Sequence, residues 1–139
     1  MDKNKIFIAS DHAGFKLKEE LTKIFPKIND LGTKSQDSVD YPDFAHKLTK
    51  AVLKNKRSVG ILICGTGVGM SIAANRKKGI RAGLATNSKI ARLIRCHNDA
   101  NVLVLPGRFI NTSEAKKSVR AFILTKFESG RHKKRINKL

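Results

Sequence analysis

The sequence predicts an α/β domain of three layers, a five-stranded parallel sheet between two layers of helix, with residues 1–139 forming a single unit. Three observations lead there. Short apolar runs alternate along the chain with longer amphipathic stretches, the pattern of strand–helix–strand units. One of those runs, Ile61-Leu62-Ile63, is branched and contains no polar residue, as a strand covered on both faces requires. It opens directly into Cys64 and a turn with glycine at positions 65, 67 and 69.

Taken in order, Lys5 to Ser10 is the first strand and Asp11-His12-Ala13-Gly14 the turn after it. Phe15 to Phe25 follows as a helix whose Phe15, Leu17, Leu21, Ile24 and Phe25 share one face, and Pro26 stops it. Ile28 to Leu31 is a short second strand, and a polar loop from Gly32 leads to Asp40-Tyr41-Pro42-Asp43. Pro42 suits the first turn of the second helix, which carries Phe44, Ala45, Leu48, Ala51, Val52 and Leu53. After the third strand and its glycines, a helix is expected from Met70 to Arg76, then a fourth strand from Gly79 to Ala85. Ser88 caps a helix that ends at Cys96, and the polar His97-Asn98-Asp99 separates it from the fifth strand, Asn101 to Leu105. Pro106-Gly107-Arg108 ends that strand, and Thr112-Ser113-Glu114 opens the last helix, which reaches Phe127. Gly130 starts a basic tail, GRHKKRINKL.

The stretch Gly60 to Asn75, GILICGTGVGMSIAAN, concentrates the chemistry. Glycines at alternate positions let backbone N–H groups turn inward and approach an oxyanion, and the helix that follows aims the positive end of its dipole at the same place. A thiol there is expected to ionise more readily than a free cysteine, which makes Cys64 a candidate base or nucleophile. The bland reading is that Cys64 is a small buried hydrophobe at a strand end. Nucleotide motifs do not fit. A dinucleotide fingerprint would need glycine where Met70 stands, and a P-loop would need a Lys-Ser/Thr pair that the turn lacks.

Composition narrows the class. No apolar stretch approaches the roughly 20 residues that span a bilayer, and Met1 to Lys5 leads into a strand without a signal-peptide core, so the expectation is a cytoplasmic protein with no membrane partner. Cys64 and Cys96 form no disulfide framework, and the absence of C-x-x-C and H-E-x-x-H patterns leads us to expect no metal. The formal charge of +18, from 29 basic and 11 acidic residues, calls for an anionic partner. Nucleic acid is disfavoured because lysines are spread over nearly every segment, aromatics are few, and no helix-turn-helix, zinc finger or RNP motif is present. A phosphorylated small molecule would be steered by the same field.

Four further groups are candidates. Asp11 and His12 stand at the carboxyl end of a strand, where open α/β sheets bind ligands, although Asp11 also suits a helix cap and His12 a satisfied loop histidine. Tyr41, the one tyrosine, covers a pocket or anchors its loop. His97 and Asn98 carry chemistry or satisfy free helix carbonyls. Arg131 and Arg135, four residues apart, share a face if the tail is helical and form a phosphate clamp; otherwise the tail is solvated.

The combination Ser10-Asp11-His12-Ala13-Gly14-Phe15, Asp40-Tyr41-Pro42, Gly60 to Gly69, Cys96-His97-Asn98-Asp99 and Gly130-Arg131-His132 closely resembles type B ribose-5-phosphate isomerase, in a wider family that includes galactose-6-phosphate isomerase subunits. The likeness runs over essentially the whole chain. It implies a Rossmann-like fold, a homodimer or dimer of dimers with sites at the subunit interface, and cofactor-free interconversion of ribose 5-phosphate and ribulose 5-phosphate. By the same resemblance Cys64 moves the proton between C1 and C2 with help from Thr66, and His97 opens the sugar ring. Asp11 and Asn98 bind hydroxyls or the enediolate oxygen, and the amides of Gly65, Thr66, Gly67, Val68 and Gly69 form the anion hole, with Tyr41 lining the substrate site. Arg108, Arg131 and Arg135, with His12, hold the phosphate, partly from the neighbouring subunit, so that the basic tail 130–139 joins the phosphate site. One branch of the family places a glutamate further along the loop; Val68-Gly69-Met70 offers no acid, so this chain resembles the cysteine type. The alternative substrate is a six-carbon sugar phosphate, allose 6-phosphate or galactose 6-phosphate.

Overall fold

The structure, a computed structural model, describes residues 5–139; the stretch 1–4, read above as leading into the first strand, lies outside the described residues. Among these residues the chain alternates as β1 (Ile6–Ser10), α1 (Phe15–Ile24), β2 (Asn29–Asp30), α2 (Tyr41–Lys54), β3 (Val59–Cys64), α3 (Val68–Asn75), β4 (Ala82–Leu84), α4 (Ser88–Asn98), β5 (Val102–Pro106), α5 (Thr112–Leu124) and α6 (Arg131–Ile136). A single 3-10 turn, His12–Gly14, joins β1 to α1. The sheet runs β2-β1-β3-β5-β4 with every neighbouring pair parallel. This is the predicted three-layer α/β, Rossmann-like architecture.

The period of two along the strands divides the core. Ile8, Ile61, Ile63, Leu103 and Leu105 face one layer, against Leu17 and Leu21 of α1 and Val119 and Phe122 of α5. Phe7, Ala9, Leu62, Cys64, Val102 and Val104 face the other, against Ala45, Leu48 and Val52 of α2 and Met70, Ala73 and Ala74 of α3. The helix leaving β1 therefore packs on one face and the helix leaving β3 on the opposite face. The two strands are neighbours, so their carboxyl ends bound a crevice of the kind that holds ligands in open α/β sheets.

Several boundaries differ from the sequence reading. Helix α3 begins at Val68 instead of Met70, because Gly67 adopts φ 80° and closes the turn within one residue. Asn87, not Ser88, caps α4; its side chain accepts the N–H of Ile90 at 2.9 Å. That helix continues through His97 and Asn98 and stops where Asp99 turns left-handed, φ 47°. Polarity had suggested an end at Cys96, but a polar last turn on a partly exposed face is compatible with helix, and only the αL residue ends it. Pro106 belongs to β5, and Asn111 caps α5, which ends at Leu124. The tail is not a solvated strand of charge: after Ser129 (φ 64°) and Gly130 (φ 55°) it folds as α6 with His132 buried.

Candidate active site

The carboxyl ends of β1, β3 and β5 assemble half of the predicted site. Cys64 ends β3, buried beside Pro106, and its carbonyl accepts the N–H of Gly107 at 2.8 Å. Gly65 follows, and its carbonyl accepts the N–H of Arg108 at 3.0 Å. The Arg108 guanidinium folds back over this glycine, so that a Cβ there would lie 3.2 Å from Nη1. Thr66 is exposed, and its Oγ1 accepts the N–H of Val68 at 3.2 Å. Gly67 has no side chain to cap α3, so the N–H groups of Gly69 and Met70 at its first turn have neither an intrahelical acceptor nor a side-chain cap. These donors and the helix dipole favour negative charge beside Cys64.

Asp11 and His12 complete this half. Asp11 is buried; its N–H reaches the Ile63 carbonyl at 3.2 Å and its Oδ1 accepts the N–H of Gly14 at 3.1 Å. It caps the 3-10 turn ahead of α1, not the α-helix itself. His12 Nδ1 accepts the N–H of Val39 at 3.2 Å, which leaves Nε2 as the donor of the neutral ring. Tyr41 lies over the glycine turn: a Cβ on Gly69 would meet its ring at 2.6 Å. Val68, Ile72 and Phe109 surround this half as exposed apolar side chains.

The other half of the predicted site stands at the far end of the sheet. Helix α4 runs back toward the amino ends of the strands, where Asn98 and Asp99 offer their carbonyls to Arg81 just ahead of β4, and Asn101 offers its own to Gly60 near the start of β3. His97 and Asn98 are therefore separated from Cys64 by the length of β3. Five steps at about 3.3 Å make that about 17 Å. With His97 and Asn98 go His132, Arg135 and Ile136, which line a pocket of about 290 Å³. The His97 and His132 rings stack at 4.3 Å with an interplanar angle of 13°. Arg131 and Arg135 are exposed on α6 beside this pair.

The matching family model, described as Ribose/Galactose Isomerase, covers residues 6–139. The chain belongs to this family. A probable ribose-5-phosphate isomerase B of Mycoplasma pneumoniae is 48% identical over 139 residues, covering 96% of this chain and 91% of that one. The crystal structure of a ribose 5-phosphate isomerase of Thermotoga maritima superposes with a TM-score of 0.94 at 52% identity, covering 96% of this chain and 95% of that chain. A ribose-5-phosphate isomerase B of Mycoplasma genitalium with bound ribulose-5-phosphate gives a TM-score of 0.92 at 46% identity, covering 96% and 92%.

Family membership does not by itself explain the electrostatics around His97. Burial pushes the His132 imidazole down, and the neighbouring His97 and Arg131 add to the effect, so the ring stays neutral near neutral pH. The Cys96 thiol donates to Glu128 Oε2 at 3.0 Å; that bond and burial push the thiol up, and the same bond holds the Glu128 carboxyl below its usual range. Sequence reasoning assigned no role to His132, Cys96 or Glu128. The local signal for His132 is a histidine in a basic tail, and only the fold lays it on His97.

Proposed function

We propose that this chain interconverts D-ribose 5-phosphate and D-ribulose 5-phosphate through an enediolate, without a cofactor. The observation that carries the reading is Cys64 at the end of a buried strand, facing a glycine turn whose N–H groups open onto the same crevice. An aldose–ketose shift removes a proton next to a carbonyl, so it needs a base and, beside it, donors placed for the oxygen that becomes negative. Cys64 is the base that carries the proton between C1 and C2, Thr66 assists it, and the Gly65 to Gly69 amides receive the enediolate oxygen. The names of the relatives favour the pentose phosphate over allose 6-phosphate or galactose 6-phosphate.

The remaining roles need a second copy. His97 opens the sugar ring and Asn98 and Asp11 bind hydroxyls, yet His97 and Cys64 belong to opposite edges of the sheet in one chain, with the length of β3, about 17 Å, between those edges. A homodimer that lays the amino-end cluster of one copy over the glycine turn of the other brings them together, and its contact covers Val68, Ile72 and Phe109. In that arrangement Arg108 and His12 of one copy meet Arg131 and Arg135 of the other around the phosphate. The chain acts as one domain whose tail, residues 130–139, belongs to the phosphate site. The fixed phosphate then supplies binding energy that aligns the reacting carbons. Among the described residues no helix is long and apolar enough to cross a membrane, and we place the enzyme in the cytoplasm.

A proton NMR time course of ribose 5-phosphate in deuterated water, with and without EDTA, tests this directly. Wild type forms ribulose 5-phosphate in both, and Cys64→Ala loses turnover by about a thousandfold while keeping its melting temperature. Undiminished turnover in the variant removes Cys64 from the reaction. Absence of product and of deuterium exchange in wild type removes the pentose reading, and allose 6-phosphate becomes the next substrate to test.

A further inference from the structure

Lys18 of α1 is fully buried, which lysine almost never is unless paired. Its ammonium reaches Asp30 Oδ2 at 2.7 Å and Glu19 Oε1 at 2.9 Å, and lies 5.2 Å from the centroid of the Phe15 ring. A buried ion pair adds little stability over apolar side chains of the same volume, so stability alone gives no reason for a lysine here. Its neighbours give one. Asp30 ends β2, and its Oδ1 accepts the N–H of Gly32 at 2.9 Å. The Gly32 carbonyl then accepts the N–H of Ser10 at 2.8 Å, and the Thr33 N–H donates to the Ser10 carbonyl at 2.9 Å. The loop that starts here passes the carboxyl end of β1, where the Val39 N–H donates to His12 Nδ1, and it ends by laying Tyr41 over the glycine turn. Phe15, also in contact with the ammonium, opens α1 directly after the His12–Gly14 turn. Lys18 thus braces both segments that meet at the His12 ring.

We propose that Lys18 is a positioning residue of the substrate site: through Asp30 it holds the loop 32–41, and with it the His12 ring and Tyr41, in the arrangement that receives the sugar phosphate, a role that rests on the reading of His12 and Tyr41 as substrate contacts. Being buried, Lys18 does not touch the substrate itself. Its ammonium binds one oxygen of the Asp30 carboxylate, which keeps the other aimed at the Gly32 N–H. Asp30 also reaches solvent, so without the ammonium its side chain turns to water, the tie to Gly32 loosens, and Val39 shifts against His12. A shift of about 1 Å is enough to degrade a site. Because His12 and Tyr41 bind and transfer no proton, the loss falls on KM.

Lys18→Met, Asp30→Asn and the double variant test the brace in the full chain. The double variant removes both charges and is expected to melt within a few degrees of wild type. Lys18→Met raises KM for ribose 5-phosphate about tenfold with kcat within about twofold, and the double variant gives about the same KM, because both substitutions break one connection. A residue that only supported the fold would lower the active fraction, so a fall in kcat at unchanged KM overturns the proposal, as do two KM effects that simply add. A second arm does not rely on activity. In protein labelled with nitrogen-15 histidine at about pH 8, above the ordinary imidazole range, wild-type His12 shows a bare Nδ1 and a protonated Nε2, signals assigned by their loss in His12→Gln. Lys18→Met draws the two shifts toward a tautomer average. Unchanged His12 shifts in that variant overturn the brace whatever the enzyme turns over. Shifted His12 signals beside a wild type that does not turn over ribose 5-phosphate uphold the brace and remove the isomerase reading instead.

Discussion

Cys64→Ala and His97→Ala chains, each inactive alone, are expected to recover activity when their subunits exchange. The reason is the length of β3: its six residues, Val59–Cys64, put about 17 Å of sheet between the edge that carries Cys64 and the edge where α4 ends with His97, farther than either side chain reaches. If each site of a two-fold dimer takes Cys64 from one copy and His97 from the other, random reassociation of equal amounts makes about half the dimers mixed. Every mixed dimer has one site with both lesions and one with none, so about a quarter of wild-type activity returns. Were both groups to act within one chain, every site would carry a lesion and nothing would return. The assay is turnover of ribose 5-phosphate after mixing differently tagged chains, with exchange verified by native mass spectrometry. No recovery in a verified mixture refutes the shared site.

Arg131→Ala and Arg135→Ala are expected to raise KM about tenfold or more with a smaller change in kcat, since the phosphate contact acts through binding; an unchanged KM in steady-state kinetics would return α6 to a purely structural role. Gly67→Ala should destabilise the fold by about 1–3 kcal/mol, read as a lower denaturation midpoint, because φ is 80° and the new Cβ would lie 2.5 Å from Leu84 Cδ1. Acid should weaken the fold through His132. Its folded pKa lies below the ordinary imidazole value of about 6.5, so its contribution is intact above that pH and is lost as pH falls through the folded value. His132→Gln should flatten melting temperature against pH below about 6.5, and an unaltered slope would assign the acid lability elsewhere.

The strand–helix alternation, the buried run at 61–63 and the glycine turn were legible in the sequence because each is a local pattern, whereas the roles proposed for the residues of both halves of the site came from the resemblance to the family. Asp11, His12, Cys64 and the glycines could be placed at strand ends from their positions alone, since a parallel sheet brings all its carboxyl ends to one edge. The start of α3 was misplaced because polarity does not reveal that Gly67 takes a left-handed φ, and the end of α4 because a polar last turn looks like a loop.

Chemistry by residue type is what the sequence by itself determined: a thiol at a glycine turn, a histidine–asparagine pair, a basic tail. Tertiary structure decided which of these are neighbours. Strand order β2-β1-β3-β5-β4 has no local signature, and it places β1 next to β3 so that Asp11 meets the Cys64 loop. The return direction of α4 carries His97 to the opposite edge, where α6 lays His132 on it and Glu128 meets Cys96 across 32 residues of chain. Those contacts depend on helix lengths and on the left-handed turns at Asp99, Ser129 and Gly130, which act only once the whole sheet is built.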